Sequence, residues 1–282
     1  MAAPSRGRRL NVLLYAGQAL VVIFFAFPLL WVVSMSLKSA AGLLATPPAF
    51  IPTDPQWGNY VHVLATTSIP RYMLNSFVVV AGAVAGALLV SVPAAYSLSR
   101  FRFRGKRSYS RAVLAAQLIS PVILVVPLYR VFVALHLINT YVGLIIVYVA
   151  IVAPFLTWFL KDYFDTVPLQ LDEAAMVDGC SRLRAMVTVV LPGATSGIVS
   201  AALIVAVLSW SQFVVPFVLL DEQALYPVSV GVINLQATSG SGQITLQYLA
   251  AGSVIAVAPV VIIFAVLQRY IIGGLTSGSV KG

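Results

Sequence analysis

Side chains that carry catalysis or bind metals are scarce in this sequence and form no recognisable active-site pattern. There are eight Asp and Glu residues, two His and one Cys among 282 residues. His62 and His136 have no cysteine or acid at metal-ligand spacing. No Gly-x-Ser-x-Gly sequence occurs, and Gly105-Lys106 is followed by Arg107 rather than by the Ser or Thr of a phosphate-binding loop. The sequence therefore predicts no enzyme active site and no ATP-binding loop of that kind.

The acidic residues are instead concentrated in one segment, 162–192, which the pattern predicts to be two short helices. Asp172 and Glu173 come early in the first helix, where the helix dipole favours anions. Gly179 follows its apolar residues as a C-terminal cap does, and 181–190 is the second helix. From the residues alone, this segment is either a packed connecting loop or an amphipathic elbow lying under a membrane.

The composition places these residues in a membrane protein. Hydrophobic residues make up 60% of the chain and charged residues 9%, against roughly 25% charged in soluble domains, and the mean hydropathy is +0.99. A spanning helix needs about 20 apolar residues, and six windows supply them. We expect spans within 12–37, 72–99, 112–129, 131–160 after Asn139-Thr140, 185–220 from near Gly193, and 247–268.

The first window also follows the pattern of a signal peptide, because arginines precede it. Its apolar stretch is too long for a cleaved signal, so we expect a retained helix. Within the second window, Gly82 and Gly86 form the small-xxx-small pair that is typical of closely packed membrane helices.

The basic residues predict the orientation of the six spans. With six spans, both termini and the loops 99–111 and 161–190 share one side, which would hold fourteen of the 17 Lys and Arg residues. Lys38, Arg71 and Arg130 remain on the other side. Because cytoplasmic loops are enriched in Lys and Arg, we expect cytoplasmic termini. The basic run 100–111 is then a topology anchor, and no nucleic-acid partner is predicted.

No Asp or Glu lies inside a predicted span. Coupled carriers usually need an ionisable group within the membrane, so a stand-alone secondary carrier or channel is the less favoured alternative.

One motif in the 162–192 segment resembles the EAA loop of ABC-importer permeases. It reads Glu173-Ala174-Ala175, three residues, Gly179, nine residues, then Val189-Val190-Leu191-Pro192, with Val189 standing for the usual isoleucine. Other segments resemble the carbohydrate-uptake permeases, specifically the maltose-type smaller permease: Asn75-Ser76, Pro127-Leu128-Tyr129, Trp210 to Phe213, Gly274-Leu275-Thr276 and Val280-Lys281-Gly282. At 210–213 the chain has Trp-Ser-Gln-Phe where the family often has Trp-Asn-Glu-Phe, so an amide replaces a carboxylate.

The resemblance implies an all-α integral membrane protein of the bacterial plasma (inner) membrane, with six transmembrane helices and a cytoplasmic coupling elbow between the fourth and fifth. Its domains would be a cytoplasmic tail, 1–11, a single permease domain, 12–272, and a second cytoplasmic tail, 273–282. Within the permease domain, 162–192 is the elbow and 221–247 is an outer loop.

The same resemblance implies the function and the partners. The chain would form half of the translocation pathway of an ATP-driven importer, for a carbohydrate or, as the alternative, for a non-sugar solute. Its partners would be a second homologous permease, two cytoplasmic ATP-binding subunits, an extracytoplasmic solute-binding protein, free or lipid-anchored, and membrane lipid. The chain would bind no cofactor, and ATP and Mg would be held by the ATPase subunits.

Three sets of residues follow from the resemblance. The ATPase-coupling set is Glu173, Ala174, Ala175, Asp178, Gly179, Leu191 and Pro192. The receptor-contacting set is Asn234, Gln236, Thr238, Ser239, Gly240, Ser241, Gly242 and Gln243. Gln117, Trp210 and Gln212 are candidates for the translocation pathway.

Overall fold

A computed structural model of the chain describes residues 6–47, 49–118, 120–235 and 246–277, and every regular element within these ranges is helical. The α-helices are α1 (Arg6–Ser36), α2 (Ala40–Leu44), α3 (Gly58–Thr66), α4 (Ile69–Arg100), α5 (Lys106–Ala116), α6 (Pro121–Ala134), α7 (Tyr141–Thr166), α8 (Leu169–Val177), α9 (Arg182–Ala185), α10 (Leu191–Gly193), α11 (Thr195–Trp210), α12 (Val214–Leu219), α13 (Val228–Asn234) and α14 (Leu246–Ser277). Met186–Val190 is a π-helix and Gln223–Leu225 a 3₁₀-helix.

Four of these helices are long and apolar enough to cross a membrane. The four apolar stretches are Leu14–Ser36, Ile69–Arg100, Tyr141–Thr166 and Leu246–Gln268. A fifth candidate is the pair Arg182–Gly193 and Thr195–Trp210, which passes the same test together but is bent by 82°. The structure therefore confirms an all-helical protein with four to five candidate spans, and these match five of the six windows in the sequence.

The remaining window, 112–129, was wrongly predicted to be a continuous helix. The chain forms α5 up to Ala116 and starts again with α6 at Pro121. Proline disfavours helical backbone in the residue before it, and Ser120 accordingly has φ −63° and ψ 130°. Pro121 itself occupies the start of α6, where its missing N–H costs no hydrogen bond. Hydropathy alone does not register such a break, because both sides of it are apolar.

The chain divides into two compact units. The first comprises Met1–Ile69 and Val232–Val257. In it, the Asn59 amide donates hydrogen bonds to the carbonyl oxygens of Ser36 (2.8 Å) and Lys38 (3.0 Å), tying α3 to the end of α1. The His62 ring stacks on Tyr248 with a centroid distance of 4.1 Å. His62 therefore has a packing role in this unit.

The second unit, Pro70–Gly231 and Ala258–Gly282, contains the elbow. Its core is built largely on α7, whose buried residues include Leu144, Leu156 and Phe164. A Cβ on Gly82 would lie 2.5 Å from Ile145, and one on Gly86 2.8 Å from Val149. Only glycine permits α4 to approach α7 this closely, as the small-residue pair predicts.

Candidate functional site

The 162–192 segment forms the predicted pair of short helical pieces. The first is α8, preceded by Pro168 in extended backbone with φ −57° and ψ 133°. The second begins with α9, where the Ser181 hydroxyl accepts a hydrogen bond from the Arg184 N–H (3.3 Å) and so caps the helix. It continues through the π-helix Met186–Val190 into α10. The elbow is thus two helical pieces with a sharp turn between them.

Gly179 makes that turn. Its φ is +86°, and no atom lies within 4 Å of the position a Cβ would occupy. The Gly179 N–H donates to the Met176 carbonyl (3.1 Å) and the Cys180 N–H to the Ala175 carbonyl (3.0 Å). This pair of bonds is the Schellman motif, which requires left-handed backbone at the glycine. The prediction that Gly179 ends the first helix is confirmed, and its cause is conformational.

Helix α8 has one face turned into the protein and another turned outward. Asp172 and Ala175 are buried, whereas Glu173, Ala174, Asp178 and Gly179 are exposed. The residues predicted to couple to the ATPase are therefore not all on the surface. Ala175 is buried inside the protein, whereas its neighbours in the set are exposed.

Five large apolar side chains of the elbow are exposed, and the two most exposed are Val177 (87%) and Leu183 (68%). From the sequence, Val177 was predicted only to be part of the apolar surface of the first helix, and Leu183 was not singled out. The spacing of apolar residues does not tell which of them the fold leaves uncovered.

The buried face of α8 is held by an ion pair. Asp172 Oδ2 lies 2.7 Å from Nε of Arg100, the last residue of α4, and both side chains are buried. The Tyr96 hydroxyl donates to Asp172 Oδ1 (3.2 Å). Sequence reasoning assigned Asp172 to the helix dipole and Arg100 to topology, and so missed their pairing. No local pattern joins them, and nothing local distinguishes the buried Asp172 from the exposed acid Glu173 beside it.

The last residues of the motif lie where the chain bends. Leu191 is half-buried and Pro192 is exposed, both in α10. Ala194 then leaves helical geometry (φ −108°, ψ 19°) before α11 begins. The Thr195 hydroxyl donates to the Pro192 carbonyl (2.7 Å) and so satisfies an acceptor at the end of α10. Leu191-Pro192 therefore marks the 82° bend that joins the elbow to α11.

The base of the predicted outer loop 221–247 is tied to Asn139, which lies in the turn just before α7. Asn139 Oδ1 accepts hydrogen bonds from the N–H groups of Asp221 (2.6 Å) and Glu222 (3.2 Å). Asn139 has φ +56°, a conformation that asparagine tolerates better than most residues. Thr140 then caps α7 by accepting from the Gly143 N–H (3.0 Å), which confirms the predicted break at Asn139-Thr140.

A second set of contacts ties the same base to α4. The Asn75 amide donates to the carbonyls of Ala224 (2.9 Å) and Tyr226 (3.0 Å). The Ser76 hydroxyl accepts from the Val228 N–H at the start of α13 (2.8 Å). The motif Asn75-Ser76 thus acquires a physical role that the sequence resemblance left unstated.

The receptor-contacting set lies mostly outside the described residues. Asn234, the last residue of α13, is half-buried. The other seven, from Gln236 to Gln243, fall in the range 236–245 that the structure does not describe. Helix α13 lies within the segment that the sequence suggested to be an irregular loop.

The three pathway candidates are in different surroundings. Gln117 is exposed at the break between α5 and α6. Trp210 is buried at the end of α11, with its ring 5.0 Å from that of Phe77. Gln212 is half-buried and lines a small cavity together with Tyr148 and Ser209.

Metal-binding groups do not gather anywhere in the ranges that the structure describes. There, no three His, Cys, Asp or Glu side chains lie close enough together to hold an ion.

Comparisons with known proteins agree on one family. Residues 86–276 match the family model described as a binding-protein-dependent transport system inner membrane component. The chain is 32% identical to the trehalose/maltose transport system permease protein of Thermococcus litoralis, covering 96% of this chain and 97% of that protein. It is also 32% identical to a diacetylchitobiose uptake system permease protein of Streptomyces coelicolor, covering 99% of this chain and 92% of that protein.

The fold is similar to that of a chain in a solved transporter. That chain comes from the crystal structure of a bacterial ABC transporter involved in the import of the acidic polysaccharide alginate. The alignment covers 96% of this chain and 99% of the transporter chain, with a TM-score of 0.82 and 22% sequence identity. The chain thus belongs to the inner-membrane components of binding-protein-dependent transport systems, and it is a multi-pass, non-catalytic permease subunit of an ABC importer.

Proposed function

We propose that this permease carries a carbohydrate and pairs with a second homologous permease, two cytoplasmic ATPase subunits and an extracytoplasmic solute-binding protein. The cargo class rests on the relatives, whose names specify trehalose, maltose and diacetylchitobiose. ATP and Mg are bound by the ATPase subunits, and this chain supplies half of the translocation pathway.

The elbow is the ATPase-docking element, and its exposed apolar residues carry this proposal. Val177 and Leu183 would remain uncovered in an aqueous cytoplasm, and large apolar side chains exposed on a surface are typical of protein interaction sites. The acidic residues Glu173 and Asp178 flank them on the surface. A partner cleft with an apolar floor and a basic rim fits this surface.

Stoichiometric co-purification tests this assignment. A tagged chain should retain two ATPase subunits, and Val177→Asp should release them, because burying an unpaired carboxylate in an apolar cleft is unfavourable. The control Asp162→Asn changes an exposed side chain in the last turns of α7, before α8, and should retain both subunits.

The energy source of uptake separates the proposal from a stand-alone carrier. Uptake into vesicles should require internal ATP and continue when ionophores collapse the ion gradients. Uptake driven by an ion gradient without ATP would contradict the importer proposal and favour the carrier.

Six spans with both termini in the cytoplasm complete the proposed topology. Five candidates come from the helices above, and the sixth is the interrupted pair α5 and α6, of which Ile123–Ala134 is apolar. The distribution of Lys and Arg supports this arrangement.

Thiol labelling in intact cells gives a measurement of this topology. In a Cys180→Ala background, cysteines replacing Arg104 and Gly282 should be shielded from an impermeant reagent, while one replacing Ser241 should label. Arg104 is exposed, so its cysteine should label after the membrane is permeabilised. Labelling of position 104 in intact cells would be incompatible with six spans.

The outer loop is the proposed receptor contact, through Asn234 and the segment from Gln236 to Gln243. Its base is fixed by Asn75, Ser76 and Asn139, so the loop tip starts from a defined platform. A fixed base reduces the entropy lost when a loop engages a partner.

The pathway residues are proposed with different support. Gln212 lies beside the hydroxyls of Tyr148 and Ser209, which are buried without a hydrogen-bond partner among the described residues. The space that they line is too small for a water molecule in this structure, so these donors and acceptors would meet a sugar hydroxyl in a conformation in which α7 and α11 separate. Gln117 and Trp210 are retained as pathway candidates on the family resemblance.

A further inference from the structure

The cytoplasmic end of α4 is joined to the elbow through Arg100. Arg100 Nε lies 2.7 Å from Asp172 Oδ2, and the two side chains are 7% and 3% exposed. Arg100 Nη2 also donates to the carbonyl of Val167 (2.9 Å), just before α8. One guanidinium therefore contacts the chain entering α8 and a side chain in its first turn.

Tyr96 adds a second contact from the same face of α4. It lies one helical turn before Arg100, and its hydroxyl donates to Asp172 Oδ1 (3.2 Å). The two oxygens of Asp172 are thus held by two different residues of α4. Arg100 Nε and Asp172 Oδ2 are in close ionic contact without hydrogen-bond geometry. The directional contacts are the hydrogen bonds from Tyr96 to Asp172 and from Arg100 Nη2 to Val167, each of which weakens when its angle changes.

Aromatic contacts extend this joint, formed by Tyr96, Arg100 and Asp172, to α7 and to the second helical piece of the elbow. The Tyr96 ring packs edge-on against Phe101 and Phe164, with centroids 6.4 and 6.5 Å away. The Arg182 guanidinium, at the start of α9, lies 5.0 Å from the centre of the Phe101 ring. The end of α4 therefore contacts the segment before α8, α8 itself and α9.

Stability alone does not account for an ion pair at this place. Replacing a buried pair by apolar residues of similar volume is often neutral or stabilising. The planar guanidinium offers what apolar packing lacks, a set of donors in fixed directions. Contacts of this kind suit an elbow that must keep a fixed angle to α4 while the ATPase moves.

We propose that Arg100, Tyr96 and Asp172 are positioning residues that hold the elbow at a fixed angle to α4, so that movement of the ATPase is passed to the spans. This proposal rests on the proposed docking of the elbow to the ATPase. The three residues touch neither solute nor nucleotide and act through the elbow.

The joint is tested by removing both charges at once. The variant Arg100→Gln with Asp172→Asn leaves no unpaired buried charge, so the chain should still insert and accumulate. The matched control is Lys161→Gln with Asp162→Asn, which neutralises a pair whose members both lie in α7, 3.5 Å apart, with side chains 22% and 51% exposed. The control pair joins two adjacent residues of one helix and cannot set an angle between α4 and α8.

Spin-label distances measure the angle directly. In a Cys180→Ala background, labels replace Leu89 on α4, 78% exposed, and Val177 on α8, 87% exposed. The parent and the control pair should give one narrow distance distribution. The Arg100/Asp172 variant should give a distribution about twofold broader, since it removes the ion pair and the Arg100–Val167 hydrogen bond that hold α8 against α4. A distribution unchanged in width and mean would overturn the proposal.

Coupling is measured on the complex of this chain with its partner permease and the ATPase subunits. The proposed solute-binding protein should stimulate ATP hydrolysis about tenfold less in the variant than in the control, a change typical of a lost coupling interaction. Equal stimulation in both would likewise overturn the proposal.

Should the double variant fail to accumulate, Asp172→Glu keeps the charge and lengthens the side chain, and it should shift the mean label distance. An unshifted mean would count against the proposal.

These measurements separate this inference from the docking proposal. The label distances need only the full chain in lipid, so they report on the joint whether or not the ATPase binds. A parent chain that never retains ATPase subunits contradicts the docking proposal and leaves the joint to be judged on the distances alone.

Discussion

Replacing Gly179 by valine is expected to abolish ATP-driven uptake while the chain still inserts in the membrane. At φ +86° a β-branched side chain is strongly disfavoured, at a cost of about 1–2 kcal/mol or more. The turn can relieve this strain by giving up the two hydrogen bonds that close α8. The direction from α8 to α9 would then change, and the exposed docking surface would be lost with it.

Gly105 provides a matched control for the valine variant. It has φ +93°, and no atom lies within 4 Å of its Cβ position either, so valine there meets the same backbone strain in the loop between α4 and α5. Gly105→Val should therefore retain uptake if the elbow matters specifically. Gly179→Asn should retain part of the uptake, because asparagine adopts this backbone more readily.

The measurement is uptake normalised to the amount of chain in the membrane, together with retention of the ATPase subunits. Equal uptake by Gly179→Val and Gly105→Val would show that the elbow turn has no special role in transport.

The role of Gly179 at the end of α8 illustrates which features the sequence could predict. Gly179 was predicted because a helix terminus is encoded locally, in a glycine following an apolar helical run. The same locality explains the success with the long apolar windows and with the break at Asn139-Thr140. Each of these features is fixed by a few adjacent residues.

The features that the sequence did not predict depend on residues far apart in the chain. Tyr96 and Arg100 meet Asp172 only after α4, α7 and α8 have packed. Asn75 binds the backbone of the outer-loop base, almost 150 residues away. Helix α13 has seven residues, too few for a reliable periodic pattern. The interruption at 117–120 was a different failure, because Pro121 signalled it and the hydropathy window concealed it.

Deletion of residues 238–243 is expected to lower receptor-stimulated ATP hydrolysis and uptake while leaving assembly with the ATPase intact. Contacts to α4 and to Asn139 hold the loop from Asp221 to Val228, before the deleted residues. The deletion therefore shortens the tip without releasing the platform that supports it. The affinity of the receptor for free solute should be unchanged, since that site is not on this chain.

A second variant tests whether the platform matters in the same way. Asn75→Leu keeps the tip but removes the amide that donates to Ala224 and Tyr226 and the oxygen that accepts from the Tyr141 hydroxyl, so the carbonyls of two half-buried residues lose a donor. It should also reduce receptor stimulation, but its basal ATP hydrolysis should equal that of the parent. A long connection that only links two helices has no reason to be sensitive to either change, since most connections need about 4–6 residues. Unchanged uptake by the deletion variant would therefore identify the tip as a connector, and a defect in Asn75→Leu alone would confine receptor recognition to the platform.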